Sequence, residues 1–125
     1  GFMLADNDIS AVIAVKDRAI AKEFYEGQLG WKSVGDDPGG TYYKSGNSQV
    51  LVYTSEYAGT NKATMAGWKV TDGDATVAEL KAKGISFEQY DMPGATREGE
   101  VHKMGQVKAA WCKDPDGNIL SVASM

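Results

Sequence analysis

The sequence has little cysteine, little proline and no long apolar run. Its one cysteine, Cys112, cannot form an internal disulfide, so no disulfide framework holds the fold. The longest apolar run, Ala11–Val15, is far shorter than the ~20 residues that a membrane helix needs. The first residues also lack the basic start and apolar stretch of a signal peptide. We therefore expect a cytoplasmic protein that does not bind membranes.

Positive charge is in deficit. Thirteen basic residues against seventeen acidic ones give a formal net charge of −4, a balance that disfavours binding to nucleic acid or to an anionic membrane surface. The apolar fraction of 42% is ordinary for a folded domain. A chain of 125 residues has room for one compact domain, or for two half-domains that share a core.

Glycine, by contrast, is frequent, with 15 residues, and the pattern of short strands and turns occurs twice. Residues 9–15 predict a strand, 18–29 a helix that Asp17 caps, and 31–35, 41–44 and 49–54 three further strands. The order then restarts with a strand at 65–71, a helix capped by Asp72 or Asp74, and strands at 85–90, 106–113 and 119–123. This repeat predicts a first βαβββ module at 1–54, a linker at 55–64 and a second module at 65–125, packed as one compact domain.

Two motifs then point to a known family. The pattern Val15-x-Asp17-x3-Ala21-x2-Phe24-Tyr25-x3-Leu29-Gly30, together with Asp114-Pro115-Asp116-Gly117-Asn118, resembles the vicinal oxygen chelate superfamily. That group includes glyoxalase I, extradiol dioxygenases and bleomycin-resistance proteins. The resemblance runs from residue 9 to residue 122. It implies an α+β fold of two paired βαβββ modules, whose curled mixed sheets form a cleft, and it implies a homodimer.

The resemblance also implies where a metal would bind. Enzymes of the superfamily hold a divalent metal with two histidines and two glutamates that point into the cleft. The corresponding positions here are Ser10, Met65, Ser121 and, with the register uncertain by one, Val52. Hydroxyls are poor ligands for divalent metals, methionine suits soft metals only, and valine cannot coordinate. We therefore expect no metal and no cofactor, and these departures argue against glyoxalase or dioxygenase chemistry.

Strand alternation predicts what lines the cleft instead. If Ser10 points inward, so do Val12 and Ala14, while Ile9, Ala11, Ile13 and Val15 pack under the helix. The hairpin at 115–117 is expected to set Trp111 opposite Ser121 and to turn Cys112 into the core. The matching hairpin is expected to set Tyr42 opposite Val52. The predicted ligand-binding residues are Ser10, Tyr42, Val52, Met65, Lys69, His102, Trp111 and Ser121.

These residues favour a metal-independent protein that binds an aromatic or partly apolar small molecule. The net charge favours a neutral or cationic ligand.

A rival hypothesis is a lyase, isomerase or hydrolase that uses His102, Glu98, Glu100 or Asp91, with or without a divalent metal at a different site. A third is an interaction module whose own side chains fill the cleft. His102 is a weak candidate for a catalytic acid or base, although a solvated loop residue is the favoured interpretation. Arg97, with Glu98 and Glu100, could anchor an anionic ligand, although a solvated charged face is the favoured interpretation.

Overall fold

The computed structural model describes residues 2–125 of the chain. Nine strands and two helices follow a short 3₁₀ turn, Leu4–Asp6. In chain order the elements are β1 (Ala11–Val15), α1 (Arg18–Lys22), β2 (Lys32–Asp37), β3 (Gly40–Ser45), β4 (Ser48–Thr54), β5 (Thr64–Lys69), α2 (Gly73–Ala82), β6 (Thr96–Glu98), β7 (Val101–Met104), β8 (Val107–Lys113) and β9 (Ile119–Ser124).

The first sheet has the strand order β1-β4-β3-β2, with β1 and β4 parallel and the other pairs antiparallel. Helix α1 begins where predicted, because the Asp17 carboxylate accepts hydrogen bonds from the backbone N–H groups of Ala19 and Ile20. It does not continue as one α-helix to residue 29. From Glu23 to Gln28 it widens into a π-helical turn that buries Phe24 and Tyr25.

The second sheet has the order β5-β9-β8-β7-β6, with β5 and β9 parallel. Here one predicted strand is wrong: in the segment 85–90 the structure shows a single bridge, between Phe87 and Cys112. The antiparallel pair β6–β7 takes its place in the sheet, although the sequence analysis did not predict it. The charged stretch around Glu98-Gly99-Glu100 hid these short strands, because it lacks the apolar alternation of a strand.

A single hydrophobic core lies on the helix side of both sheets. Alternate residues of the central strands point into it, and the π-helical turn adds aromatic rings, of which Tyr25 stacks on Trp31 with ring centroids 4.9 Å apart. The core includes Ile13, Val15, Ala21, Phe24, Tyr25, Trp31, Tyr43, Val50, Val52, Val77, Ile85, Phe87, Val101, Ala110, Cys112 and Leu120. Since both modules contribute, neither buries its apolar face alone.

Buried hydrogen bonds tie the modules together. The Tyr25 hydroxyl donates to Asp114 Oδ2 at 2.7 Å, and Asn118 Nδ2 donates both to that oxygen and to the Ala14 carbonyl. Burial and the Asp114 carboxylate raise the pKa of the Tyr25 phenol above its usual range. Gly59 permits a close approach nearby, because a Cβ there would lie 1.8 Å from the Asp116 carbonyl oxygen.

The α+β prediction is confirmed, with two mixed sheets of four and five strands. Within residues 2–125, no helix has both the length and the apolar character required to cross a bilayer.

Candidate functional site

Each sheet has a second face, opposite the core, which we call its open face. The cross-strand registers define these faces, since residues directly opposite each other point the same way. On the first sheet the open face carries Val12, Ala14, Leu51, Tyr53, Tyr42 and Gly40. On the second sheet it carries Thr64, Gly67, Lys69, Ser121, Ala123, Trp111, Ala109, His102 and Arg97.

On the second sheet the predicted cleft residues come together. Trp111 lies directly opposite Ser121, as the hairpin at 115–117 predicts. The Trp111 ring is held in place by its Nε1–H, which donates to the Thr64 hydroxyl at 3.1 Å. Gly67 lies beside Ser121, whose hydroxyl oxygen occupies the space that a Cβ on Gly67 would take, 2.2 Å from it.

On the first sheet the predicted register is off by one. Tyr42 lies opposite Leu51, and Val52 lies opposite Thr41. Val52 is therefore wrong as a cleft residue: it is 2% exposed and packs in the core. The turn at 45–48 sets this register, and a slip of one residue moves a side chain to the other face.

The ends of the two first strands also depart from the prediction. Ser10 precedes β1 and is exposed, so it does not point into a cleft formed by the sheet. Ile9 is 94% exposed and does not pack under the helix, whereas Ile13 and Val15 do. Met65 sits at an irregularity in the pairing of β5 with β9, which turns it toward the core cluster and leaves Thr64 on the open face.

His102 is fully buried on β7, so its interpretation as a solvated loop residue is wrong. Its Nε2 accepts a hydrogen bond of 2.9 Å from the backbone N–H of Tyr90. An accepting nitrogen carries no proton, so the proton of the neutral ring is on Nδ1. Among the residues that the structure describes, Nδ1 is buried without a hydrogen-bond partner.

Two aromatic rings enclose this imidazole. Trp111 meets it edge-on with centroids 5.0 Å apart, and Tyr90 lies 5.9 Å away. Tyr90 and Trp111 also contact each other, at 5.6 Å. Beside this group, Tyr90, Asp91, Met92, Pro93, Ala95 and Arg97 line a surface pocket of about 350 Å³. The second open face therefore combines an aromatic wall, an unpaired N–H donor and an adjacent pocket.

The acidic residues of the rival hypothesis do not converge on His102. Glu98 pairs with Lys103, and Glu100 pairs with Lys81 at 3.0 Å. Both contacts lie on the helix side of the sheet, and Lys81 also holds the pKa of Glu100 below its usual value. Asp91 pairs with Arg97 at 3.5 Å and is 98% exposed.

Cys112 is also remote from this face. It points into the core as predicted and is 2% exposed. Burial, with the Asp114 carboxylate, raises the pKa of its thiol to about 11. A thiol of that pKa is a poor nucleophile near neutral pH, because little thiolate forms.

The residues at the four metal positions of the resembling enzymes do not fit a divalent metal. Val52 lies in the core, Ser10 lies outside the sheet, Met65 turns toward the core, and Ser121 offers one hydroxyl. Across residues 2–125, the structure contains no group of three His, Cys, Asp or Glu side chains placed to hold a metal ion.

A further pocket, of about 540 Å³, separates β1 from β5. The predicted residues Met65 and Lys69 line it, together with Ile9, Ala11 and Trp68. Tyr42, on the first sheet, and Trp111, on the second, belong to different open faces, and neither lines this pocket.

Sequence reasoning missed Thr64 and Tyr90 and undervalued Arg97. Thr64 had no signal, because a strand irregularity places it on the open face. Tyr90 belongs to the segment misread as a strand, although an aromatic residue before a Pro-Gly turn is a usable signal for a binding loop. Arg97 was visible as a charge, but its position opposite His102 depends on the unpredicted strand β6.

The comparisons with known proteins agree with this geometry. The chain matches the family model described as "Glyoxalase/Bleomycin resistance protein/Dioxygenase superfamily" over residues 9–122. Among curated proteins, none matches the chain.

Similar solved structures include a glyoxalase family protein from Enterococcus faecalis, with a TM-score of 0.74, 17% identity, and coverage of 97% of this chain and 99% of that one. The fosfomycin resistance protein FosX from Listeria monocytogenes has a TM-score of 0.71 at 9% identity, covering 95% and 93%. Lactoylglutathione lyase from Agrobacterium tumefaciens has 0.69 at 16% identity, covering 94% and 92%. At these identities the likeness shows the fold alone. From the family model and the two-module architecture together, the chain belongs to the glyoxalase/bleomycin resistance protein/dioxygenase superfamily.

Proposed function

We propose that this protein binds a small aromatic or partly apolar molecule, without a metal, on the open face of its second sheet. The ligand lies against Trp111, above Ser121 and Gly67. The loop at 90–95, which we call the Tyr90 loop, closes one side. Stacking on the indole and removal of apolar surface from water supply the affinity.

The observation that carries this proposal is the buried His102 ring, whose Nδ1–H has no acceptor among the described protein atoms. Unpaired buried polar groups are rare in native proteins, since each costs free energy. This one lies beside the rings of Tyr90 and Trp111, next to a pocket. A displacement of Tyr90 would open the N–H to an oxygen or nitrogen acceptor of the ligand.

Binding is favoured over catalysis because no activated nucleophile accompanies the imidazole. A nucleophile and its base must lie within hydrogen-bond reach, and within residues 2–125 the one hydrogen-bond partner of His102 is a backbone N–H.

A thermal-shift screen of aromatic metabolites and antibiotics tests the proposal. A ligand at 100 times its Kd adds about 2.7 kcal/mol of stability. We expect Trp111→Leu to weaken binding of a hit at least tenfold, and Tyr42→Leu, on the open face of the first sheet, to change it less than twofold. Equal losses from both variants would reject the second sheet as the site. A screen without any hit would favour an interaction module.

The resemblance also supports a proposal that the protein is a cytoplasmic homodimer. Sedimentation equilibrium tests the oligomeric state directly. A single species of monomer mass up to 100 μM would reject the dimer.

A further inference from the structure

One cross-strand row on the second open face has an unusual composition. The registers align Lys69 with Ala123, Ala123 with Ala109, Ala109 with His102, and His102 with Arg97. The row therefore crosses all five strands of the sheet, from β5 to β6. Neighbouring strands lie about 4.8 Å apart, so its ends are separated by about 19 Å along the sheet.

The polar side chains in this row are hydrogen-bond donors. Lysine and arginine have no acceptor, and the fully buried His102 keeps its proton on Nδ1 because Nε2 already accepts from the Tyr90 N–H. Between the donors lie the methyl groups of Ala109 and Ala123, which form a low apolar floor. The Trp111 ring stands beside that floor, in contact with His102.

The charge of this face is opposite in sign to that of the whole chain. Acidic residues of the second module are occupied by lysines on the helix side, where Asp74, Glu98 and Glu100 pair with Lys108, Lys103 and Lys81. Glu88 pairs with Lys113 at the hairpin end of β8. Lys69 forms no ion pair with any residue in the described part of the chain. Net charge alone pointed to neutral or cationic ligands, but the local arrangement points the other way.

The ion pair that Arg97 forms in this row is weak enough for a ligand to displace it. Arg97 meets Asp91 at 3.5 Å, and the Asp91 side chain is 98% exposed. Exposed pairs of this kind contribute little, because water screens both charges. A ligand carboxylate, which can accept two parallel N–H bonds from a guanidinium, would compete successfully.

We propose that the ligand of this face is a flat, conjugated molecule with an anionic group at each end, an aromatic dicarboxylate being the simplest form. One carboxylate meets Arg97 near the Tyr90 loop and the other meets Lys69 at the opposite edge, with the aromatic part over the alanine floor against Trp111. This inference rests on the proposed function, since it specifies the ligand class of the same face.

Isothermal titration calorimetry with three naphthalene probes tests it. The probes are 2,6-naphthalenedicarboxylate, 2-naphthoate and 2-naphthalenemethanol, which carry two, one and no anionic groups on the same ring system. We expect affinity to rise in the order neutral, monoanion, dianion. The affinity of the dianion should also fall as salt is added, because exposed charges are screened.

Single variants then test the role of each cation separately from the location of the binding site. Lys69→Gln and Arg97→Gln are each expected to weaken dianion binding about tenfold, which corresponds to the lower end of the range for a hydrogen bond to a charged group, and to leave the neutral probe unchanged. Lys103→Gln, on the other face of β7, is the matched control and should have no effect. Circular dichroism spectra confirm that each variant is folded.

Two results would overturn the inference in distinguishable ways. Equal affinity for all three probes, lost in Trp111→Leu but not in Lys69→Gln or Arg97→Gln, would reject the anionic ligand and keep the site. No measurable dianion binding would reject the ligand class outright, and the thermal-shift screen would then decide the proposed function separately.

Discussion

The two open faces have the same scaffold and different surfaces. On the first sheet, Val12, Leu51, Tyr42 and Tyr53 form an apolar and aromatic surface that is partly open to water. On the second sheet, a fully buried imidazole packs against two rings that also contact each other, with a cation at each end of its row. Repetition of the βαβββ unit therefore provided two equivalent faces, and the buried imidazole and the two cations lie on the second.

The connections between the modules differ as well. The hairpin of the second module, 114–118, reaches across to the first through Asp114 and Asn118. The first module's hairpin returns one contact, in which Ser45 accepts from Trp68 Nε1 at 2.9 Å. The second hairpin thus positions the two sheets, and we expect its loss to affect both open faces together.

The largest expected effect comes from removing the centre of that hairpin. Asp114 is 5% exposed and accepts from the Tyr25 hydroxyl, the Asn118 side chain and the backbone N–H groups of Asp116 and Asn118. Asp114→Ala leaves these donors unpaired and should lower the free energy of unfolding by about 3 kcal/mol, measured by urea denaturation.

Two companion variants keep this prediction testable if Asp114→Ala fails to fold. Tyr25→Phe removes one hydrogen bond to the carboxylate and should lower the free energy of unfolding by about 1.5 kcal/mol. Asp116→Ala, whose carboxylate accepts one long bond of 3.3 Å from the Lys16 N–H, should change it by less than about 0.5 kcal/mol. Equal losses in Tyr25→Phe and Asp116→Ala would mean that the buried network does not hold the modules.

Two open-face glycines differ in the room beside them: Gly67, beside Ser121, and Gly35, opposite Tyr42. A Cβ on Gly67 would lie 2.2 Å from the Ser121 hydroxyl oxygen, whereas one on Gly35 would lie 3.8 Å from the Tyr42 ring. Gly67→Ala should therefore lower the free energy of unfolding by about 1–2 kcal/mol through overpacking. Gly35→Ala should be neutral or slightly stabilising, because alanine restricts the unfolded chain.

The double variant Gly67→Ala with Ser121→Gly locates the strain. If the clash with the hydroxyl causes the loss, removing the hydroxyl restores most of the stability that Gly67→Ala removes. An unchanged loss in the double variant would place the strain in the backbone of β9 instead.

The repeat in the sequence predicted the two modules, except for the strand at 85–90 and the pair β6–β7. Val15-Lys16-Asp17 ends β1 and Val70-Thr71-Asp72 follows β5, 55 positions later, and the aspartate of each caps a helix, so this part of the element order follows from local signals. The hairpin at 115–117 likewise fixed Trp111 opposite Ser121, because a tight turn sets the register of its strands.

The candidate site was less predictable because it depends on irregularities. The irregular pairing near Met65 and the one-residue shift at Val52 each turned a predicted cleft residue toward the core. His102 became a buried residue through β6 and the Tyr90 loop, neither of which has the apolar alternation that predicts packing. The local sequence pattern predicts that a strand forms, whereas the face to which each of its side chains points depends on contacts with residues distant in the sequence.

The smallest expected effect is a difference in the pH dependence of stability between variants of a helix-side lysine, Lys108, and an open-face lysine, Lys69. Lys108 lowers the pKa of Asp74 below its ordinary value of 3.8, chiefly through their hydrogen bond, and its own pKa is raised in return. Because the pKa of the carboxyl is lower in the folded state, its contribution to stability is complete above pH 3.8 and is lost as pH falls through the folded value.

Urea midpoints measured at pH 6, 4 and 3 should therefore fall less steeply in Lys108→Gln than in the wild type. Lys69→Gln, which removes a cation without an acidic partner, should keep the steeper wild-type fall. A slope as shallow in Lys69→Gln as in Lys108→Gln would show that Lys69 has an acidic partner, and would remove the contrast between the two sides of the sheet.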